Sequence, residues 1–308
     1  MSKLISIVIP MYFEEENVMD CYTRLSGVLQ EREYELIFVN DGSTDRTLPL
    51  LEELAAQDKR VKVISFSRNF GHQMAVSAGI EHARGDGVVL IDADLQDPPE
   101  VILEMIAKWE EGYDVVYGKR AKREGESAFK KVTAKLFYRF LDKMSDVKIP
   151  RDTGDFRLMD RKVVNALLAM PEKNRFIRGM VSWVGFRQTA VTYVRNPRMK
   201  GETKYPLKKM LKFAMDAIVG FSSKPLRMIT WLGVLTLIVG FGLLIYTVVS
   251  KILGGAEAGW ASIMVAIVFF SGVQLISLGI VGEYLARIYE EAKNRPMYII
   301  EKEINFEE

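Results

Sequence analysis

Short apolar segments alternate with amphipathic segments along the first 120 residues of the chain. The apolar segments are rich in Ile, Val and Leu and predict strands at 4–9, 36–39, 61–66, 87–91 and 115–117. The amphipathic segments predict helices near 14–30, 45–57, 72–84 and 99–110. Strands that are almost continuously apolar and alternate with helices indicate an α/β domain with a mostly parallel sheet covered on both faces.

Two windows near the C-terminus, residues 228–250 and 258–282, contain no charged side chain. At about 1.5 Å rise per residue, each window can cross a hydrocarbon core of about 30 Å as a helix. The segment between them is too short for a folded domain, so the pattern predicts a transmembrane hairpin with spans at about 228–250 and 260–282. Lys and Arg are abundant on both flanks of the hairpin but not in its connection, which has only Lys251. The positive-inside rule then places the N-terminal domain and both termini in the cytoplasm.

A basic segment precedes the first span. Residues 195–227 hold nine Lys and Arg against two acidic residues, and the apolar positions from 206 onward follow helical spacing. This pattern favours an amphipathic helix lying on anionic lipid, and the alternative is a packed helix with a solvated charged face. The predicted organisation is a domain at 1–205, a juxtamembrane helix region at 206–227, the hairpin at 228–284 and a cytoplasmic tail at 285–308.

Composition narrows the functional class. The chain has 308 residues with 42 Lys and Arg against 40 Asp and Glu, and its net charge of +2 gives no indication of a nucleic-acid partner. A single cysteine, Cys21, excludes an internal disulfide and a multi-cysteine zinc site. The two histidines, His72 and His82, argue against a histidine metal cluster. No glycine-rich dinucleotide motif or P-loop follows a predicted strand.

Polar residues follow each of the first four predicted strands. The carboxyl ends of parallel strands form one edge of a sheet, where ligands bind in folds of this kind. Asp92 and Asp94 follow the fourth strand, and such paired carboxylates can bind Mg²⁺ and neutralise a diphosphate leaving group. The alternative is a pair of turn-forming or helix-capping aspartates. Asp41, after the second strand, can accept a hydrogen bond from a nucleobase, and Glu14 can bind ribose hydroxyls; a helix cap is the alternative for each. His72 lies near enough to border this edge. It has no nearby Ser or Asp constellation in the sequence, which argues against a catalytic dyad.

Seven segments together indicate a family: IVIPMYFEEENV, VNDGSTDRT, RNFGHQMAVSAGI, DADLQDPPE, YGKR, DTGDFRLMDR and RMKGETKYPLKKM. With these motifs the chain resembles the family 2 glycosyltransferases of the GT-A fold. More narrowly, it resembles the polyprenyl-phosphate glycosyltransferases, which include dolichol-phosphate mannose synthases and bacterial undecaprenyl-phosphate sugar transferases of the GtrB type. The resemblance covers essentially the whole chain, including both spans. Phe13 departs from the pattern, because the family usually has Asn before the Glu.

The resemblance implies a role for each matching residue. Residues around the nucleotide-sugar would be Pro10, Tyr12, Glu14, Asp41, Asp92, Ala93 and Gln96. Asp92 and Asp94 match the metal motif, which binds Mg²⁺ or Mn²⁺. The catalytic residues would be Asp94, Arg120 and Asp155, with Arg120 on a phosphate and Asp155 facing the transferred sugar or the acceptor. A mobile loop closing on the donor and the lipid phosphate would contain Arg198, Lys200, Thr203, Lys204 and Tyr205.

The expected activity is therefore inverting transfer of a sugar from a nucleotide diphosphate sugar to a polyprenyl phosphate, for modification of cell-envelope glycans. UDP is favoured over GDP, and undecaprenyl phosphate over dolichyl phosphate. A processive polysaccharide synthase is one alternative, but the chain lacks a Q-x-x-R-W motif and two spans cannot enclose a polymer channel. A non-catalytic membrane adaptor is the other, and the paired aspartates, Arg120 and the basic loop argue against it. Glycines in both spans favour close packing between copies, so a homo-oligomer, a dimer or tetramer, is expected.

Overall fold

The structure is a computed structural model that describes residues 3–121, 150, 153–195, 222–253 and 259–306. The first part of the described chain alternates strands and helices: β1 (Ile5–Met11), α1 (Val18–Val28), β2 (Tyr34–Asn40), α2 (Thr47–Gln57), β3 (Val61–Phe66), α3 (His72–His82), β4 (Gly87–Leu90), α4 (Val101–Glu110) and β5 (Val115–Arg120). The remaining elements are β6 (Thr153–Asp160), α5 (Arg161–Leu168), α6 (Ile177–Trp183), β7 (Gln188–Tyr193), α7 (Lys224–Ile252), α8 (Trp260–Ala292) and β8 (Ile300–Ile304). All five predicted strands and four predicted helices of the first 120 residues are present.

The strands form one mixed sheet in the order β7-β5-β6-β4-β1-β2-β3-β8. Strands β4, β1, β2 and β3 are parallel neighbours, and β7 runs parallel to β5. Strand β6 is antiparallel to both β4 and β5, and β8 is antiparallel to β3. Since β6 reverses direction between two strands, β5 and β7 point the same way as β4. The carboxyl ends of β1, β2, β4, β5 and β7 therefore all reach one edge of the sheet.

Two apolar layers cover the sheet, as the sequence predicts. Alternation along β1 sends Ile7 and Ile9 into a layer with α1, α2 and α4, whereas Val8 enters a layer with α3, α5 and α6. Every residue of β1 and β2 is buried. Central strands buried on both faces form a rigid platform from which the loops at the carboxyl edge project.

Helices α7 and α8 have the length and composition of membrane spans. Their most apolar 18-residue windows have mean hydropathies of 2.4 and 2.2, and no part of either window is buried within the structure. Large apolar side chains such as Leu237 and Ile276 are exposed on these helices. Exposed apolar surface of this extent suits a hydrocarbon environment. Most of the predicted juxtamembrane region 206–227 lies outside the described residues, and its last residues begin α7.

The C-terminal segment returns to the N-terminal domain. Helix α8 continues ten residues beyond the predicted end of the span at 282, to Ala292, and the predicted tail contributes β8 to the sheet. In β8, Ile304 pairs with Val63 across the antiparallel ladder. The ring of Tyr298 stacks on Phe66 with centroids 4.9 Å apart. The tail is thus part of the same domain as strands β1 to β7, an arrangement that the charged sequence IEKEI does not reveal.

Candidate active site

The edge formed by the carboxyl ends of the strands collects most of the predicted site residues that the structure describes. Pro10 is buried in β1, and Asp41 follows β2, its backbone N–H donating to the Met11 carbonyl at 2.9 Å. Ile91 donates to the Val8 carbonyl at 3.1 Å, which sets the start of the turn that carries Asp92. The two carboxylates are therefore carried by turns that leave strands flanking β1.

The carboxylate of Asp41 orders the turn that precedes α3. It is almost fully buried and accepts hydrogen bonds from the backbone N–H groups of Phe70 at 2.7 Å and Gly71 at 2.9 Å, and from Asn69 Nδ2 at 2.9 Å. Burial raises the pKa of Asp41, while the two backbone hydrogen bonds act in the opposite direction. Three protein donors thus occupy most of the acceptor capacity of this carboxylate. Its predicted contact with a nucleobase stays a prediction.

Two aromatic side chains lie exposed after β1. The rings of Tyr12 and Phe13 meet edge to face with centroids 4.5 Å apart, and each is about 40% exposed. Phe13 has a left-handed backbone with φ of 55°, held by a hydrogen bond from its N–H to Ser43 Oγ at 3.1 Å. The next residue, Glu14, accepts from Asn17 Nδ2 at 2.5 Å. This corner presents aromatic faces on which a planar base can stack.

The turn 92–97 carries the paired carboxylates. Asp94 Oδ1 accepts from the Gln96 N–H at 3.2 Å, and Leu95 has a φ of 51°, so the turn is tightly folded. Ala93 is buried, while the Asp92 side chain is 35% exposed. Burial and neighbouring carboxylates raise the pKa of Asp92, although His72 acts against them. Negative charge is therefore concentrated at this turn, as a cation site requires.

Asp155, near the start of β6, pairs with two cationic side chains. Its Oδ1 lies 2.8 Å from Arg178 Nε, and its Oδ2 lies 3.2 Å from His72 Nε2. Although burial opposes ionisation, Arg178 and His72 hold the pKa of Asp155 well below its usual range. His72 also lies 3.8 Å from Asp92 Oδ1. Burial opposes the charge of His72, but Asp155 and Asp92 together raise the pKa of His72 to about 9.

The two partners of Asp155 differ in what the sequence predicts of them. His72 lies in the motif RNFGHQMAVSAGI and is expected to border this edge, whereas no motif predicts the position of Arg178. His72 is the first residue of α3 and meets a carboxylate 83 positions away in the sequence. Arg178, on α6, meets the same carboxylate across 23 positions. Nothing in the spacing of these residues predicts the contacts, because they depend on the insertion of β6 beside β4.

Arg120 ends β5, and its side chain is 33% exposed. Its Nη2 lies 3.7 Å from Oδ2 of Asp97, a fully buried carboxylate. A Cβ atom added at Gly154 would lie 2.8 Å from this Nη2, so the guanidinium packs directly over the glycine. The predicted loop residues Arg198, Lys200, Thr203, Lys204 and Tyr205 lie outside the described residues. Among the described residues, no three His, Cys, Asp or Glu side chains are grouped as a metal site.

The fold and the site define the class of protein. The chain belongs to glycosyl transferase family 2, whose sequence model matches residues 6–168. A second model, the GtrB C-terminal hairpin, matches residues 224–288 and covers α7 and most of α8. The chain is thus a family 2 glycosyltransferase with a C-terminal hairpin of the GtrB kind.

Relatives match the chain over almost its whole length. An uncharacterized glycosyltransferase of Bacillus subtilis (strain 168), YkcC, is 54% identical over 98% of this chain and 94% of its own. A prophage bactoprenol glucosyl transferase homolog of Escherichia coli (strain K12) is 42% identical over 97% of this chain and 98% of its own. A crystal structure of glucosyl-3-phosphoglycerate synthase from Mycobacterium tuberculosis, in complex with Mn²⁺, UDP and phosphoglyceric acid, is 19% identical with a TM-score of 0.47, over 70% of this chain and 76% of that one.

Proposed function

We propose that this protein transfers a sugar from a nucleotide diphosphate sugar to a polyprenyl phosphate, with inversion at the anomeric carbon. The similarity to a bactoprenol glucosyl transferase homolog over 97% of the chain, hairpin included, carries this proposal. Bactoprenol is a polyprenyl alcohol, so the acceptor proposed here is undecaprenyl phosphate. The name of that relative also makes UDP-glucose the first donor to test.

The reaction proposed is a single displacement in which an acceptor phosphate oxygen attacks the anomeric carbon and the nucleoside diphosphate leaves. The acceptor phosphate is already anionic at neutral pH, so the reaction does not need a strong general base. Asp155 suits a positioning role better than a basic one, because Arg178 and His72 hold its pKa well below the usual range and so make it a weak base. Catalysis then comes mainly from alignment and from stabilisation of the departing charge.

A divalent cation fits the turn 92–97. Mg²⁺ and Mn²⁺ prefer oxygen ligands, and Mg²⁺ is commonly bound by one or two carboxylates together with substrate phosphates. Asp92 and Asp94 would hold the ion. Burial and, after it, the charge of neighbouring carboxylates raise the pKa of Asp92, and a bound cation would offset that negative charge. When bound, the ion would supply positive charge to the leaving diphosphate.

The membrane arrangement follows from the hairpin. Helices α7 and α8 would anchor the enzyme in the cell membrane, with the catalytic domain and both termini on the cytoplasmic side. Because α8 ends at the catalytic domain, where Glu291 accepts from the Lys173 N–H at 2.8 Å, the site would be held near the lipid surface. Assembly into a dimer or tetramer stays a prediction.

The test is transfer of radiolabel from a panel of UDP- and GDP-sugars into organic-extractable undecaprenyl phosphate by the full-length protein. We expect transfer from one donor, reduced at least about 100-fold by Asp94→Asn and abolished by EDTA. Asp20→Asn, on the exposed face of α1, is the matched control and should keep full activity. Absence of transfer from every donor by folded protein in membranes would support the adaptor alternative, and a polymeric product would support the processive one.

A further inference from the structure

The last residue of the turn 92–97, Asp97, carries a fully buried carboxylate. Asp97 Oδ1 accepts a hydrogen bond from the Tyr193 hydroxyl at 2.5 Å and lies 3.4 Å from Arg195 Nε. Its Oδ2 lies 3.7 Å from Arg120 Nη2. One buried carboxylate thus faces two guanidinium groups, which leaves the cluster with a net positive charge.

The hydrogen bonding of this cluster is incomplete. Asp97 Oδ2, Arg120 Nε and Arg195 Nε are buried and have no hydrogen-bond partner among the described residues. Burial of a carboxylate is costly unless its oxygens are partnered, so a purely structural role would favour an uncharged residue at position 97. Asp97 is not a helix cap either, because Glu100 occupies the N-cap position of α4 and no side chain caps that helix.

Arg120 and Arg195 lie at the carboxyl ends of two neighbouring strands, β5 and β7. Arg120 is the last residue of β5, and it pairs in register with Tyr193, the last residue of the parallel strand β7. Arg195 follows two residues later. Both strands end at the edge that carries Asp92 and Asp94, and the arginine side chains are 33% and 24% exposed. Both arginine side chains therefore lie at the same edge of the sheet as the carboxylate turn, and both are partly exposed there.

We infer that Asp97 is a positioning residue, which holds Arg120 and Arg195 together at this edge so that they bind the phosphate of the acceptor. This inference rests on the proposed function. A guanidinium presents several N–H donors in a rigid plane and binds a phosphate through pairs of them, so its orientation determines how well it binds. Asp97 also belongs to the turn of Asp94, and it therefore links the spacing of the arginines to that of the donor-side carboxylates.

The primary test compares Asp97→Asn with Glu35→Gln in the full-length protein. Both changes replace a buried carboxylate that faces a cation with an amide, but Glu35 pairs with Lys62 at 2.6 Å near the amino end of β2, away from the site. We expect Asp97→Asn to raise the KM for undecaprenyl phosphate at least about tenfold, with the Kd for UDP changed less than about twofold. Glu35→Gln should lower the thermal midpoint and leave both constants unchanged.

A mutant cycle tests whether Asp97 acts through the arginines. In the Arg120→Gln/Arg195→Gln background, adding Asp97→Asn should change the acceptor KM by less than about twofold, because the groups that it positions are gone. An unchanged acceptor KM in Asp97→Asn would overturn the inference. So would an equally large increase of the acceptor KM when Asp97→Asn is added to the Arg120→Gln/Arg195→Gln double variant. Absence of transfer by the wild-type protein would instead overturn the proposed function.

Discussion

Replacement of Gly154 by alanine should displace the side chain of Arg120 without changing its chemistry. A Cβ atom at position 154 would lie 2.8 Å from Arg120 Nη2, 3.6 Å from Arg120 Cζ and 3.8 Å from Asp97 Oδ2. Ordinary contact begins at 3.4 Å, so the guanidinium must move by about 0.6 Å. The displaced atoms are the far end of a flexible, partly exposed side chain, and the backbone of Gly154 has no left-handed φ.

Gly154→Ala should therefore lower the rate of sugar transfer and leave the stability of the fold nearly unchanged. A misplacement of about 1 Å in an active site can reduce the rate by about 100-fold, so 0.6 Å corresponds to about tenfold, or about 1.4 kcal/mol. Alanine also restricts the unfolded chain, which offsets part of any strain in the folded state. We expect the free energy of unfolding to change by less than about 1 kcal/mol.

The assay is steady-state transfer of sugar to undecaprenyl phosphate, together with thermal unfolding in detergent. Gly27→Ala is the matched control, because a Cβ atom at Gly27 in α1 meets nothing within 4 Å. This control should gain about 0.5–1 kcal/mol of stability and keep its kinetic constants. Wild-type kinetic constants in Gly154→Ala would show that catalysis does not depend on the position of Arg120. A large loss of stability would show that the substitution disturbs more of the structure than the Arg120 side chain.

Three further predictions concern the scaffold. Burial opposes ionisation of Glu35, but hydrogen bonds from Lys62 and other groups lower its pKa below the usual value of 4.5. The contribution of Glu35 to the free energy of unfolding is therefore fully present above pH 4.5 and is lost as the pH falls through the lowered pKa. Glu35→Gln should cost about 3 kcal/mol in thermal unfolding at pH 7, and an equal loss at pH 3 would contradict this account. Gly42→Ala should lower the free energy of unfolding by about 2 kcal/mol or more, because Gly42 has a φ of +67° and a Cβ atom there would lie 2.3 Å from the backbone carbon of Arg68. The same change should weaken UDP binding, as measured by calorimetry. Asn305→Ala removes hydrogen bonds of 2.7 and 2.8 Å to backbone carbonyls, so the C-terminal strand should be proteolysed faster; unchanged cleavage would show that β8 pairing alone holds it.

The sequence is most informative where a local pattern decides the structure. Runs of Ile, Val and Leu predict β1 to β5 because a strand buried on both faces is apolar at most of its positions. The membrane hairpin is predictable for a similar reason, since a helix that crosses lipid excludes charge along its whole length. The motifs around Asp41 and Asp92 indicate the family, which the comparisons confirm.

The tertiary structure decides the features that depend on distant partners. Strand β6 contains Asp155 and a buried Arg157, whose Nη2 donates to the Gly154 carbonyl at 3.0 Å, so its sequence lacks the apolar run of a central strand. Strand β8 lies at an edge, where alternating charges are tolerated because one side remains solvated.

The same distinction holds for the site. Local motifs predict that Asp92, Asp94 and Asp41 follow strands, because the residues that form a turn are adjacent in the sequence. The contacts of Asp155 with Arg178 and His72, and of Asp97 with two arginines, require elements far apart in sequence to converge. Sequence alone therefore determined the class of enzyme and its membrane hairpin. Only the folded sheet, by bringing charges from separate strands together, decided which carboxylates are partnered.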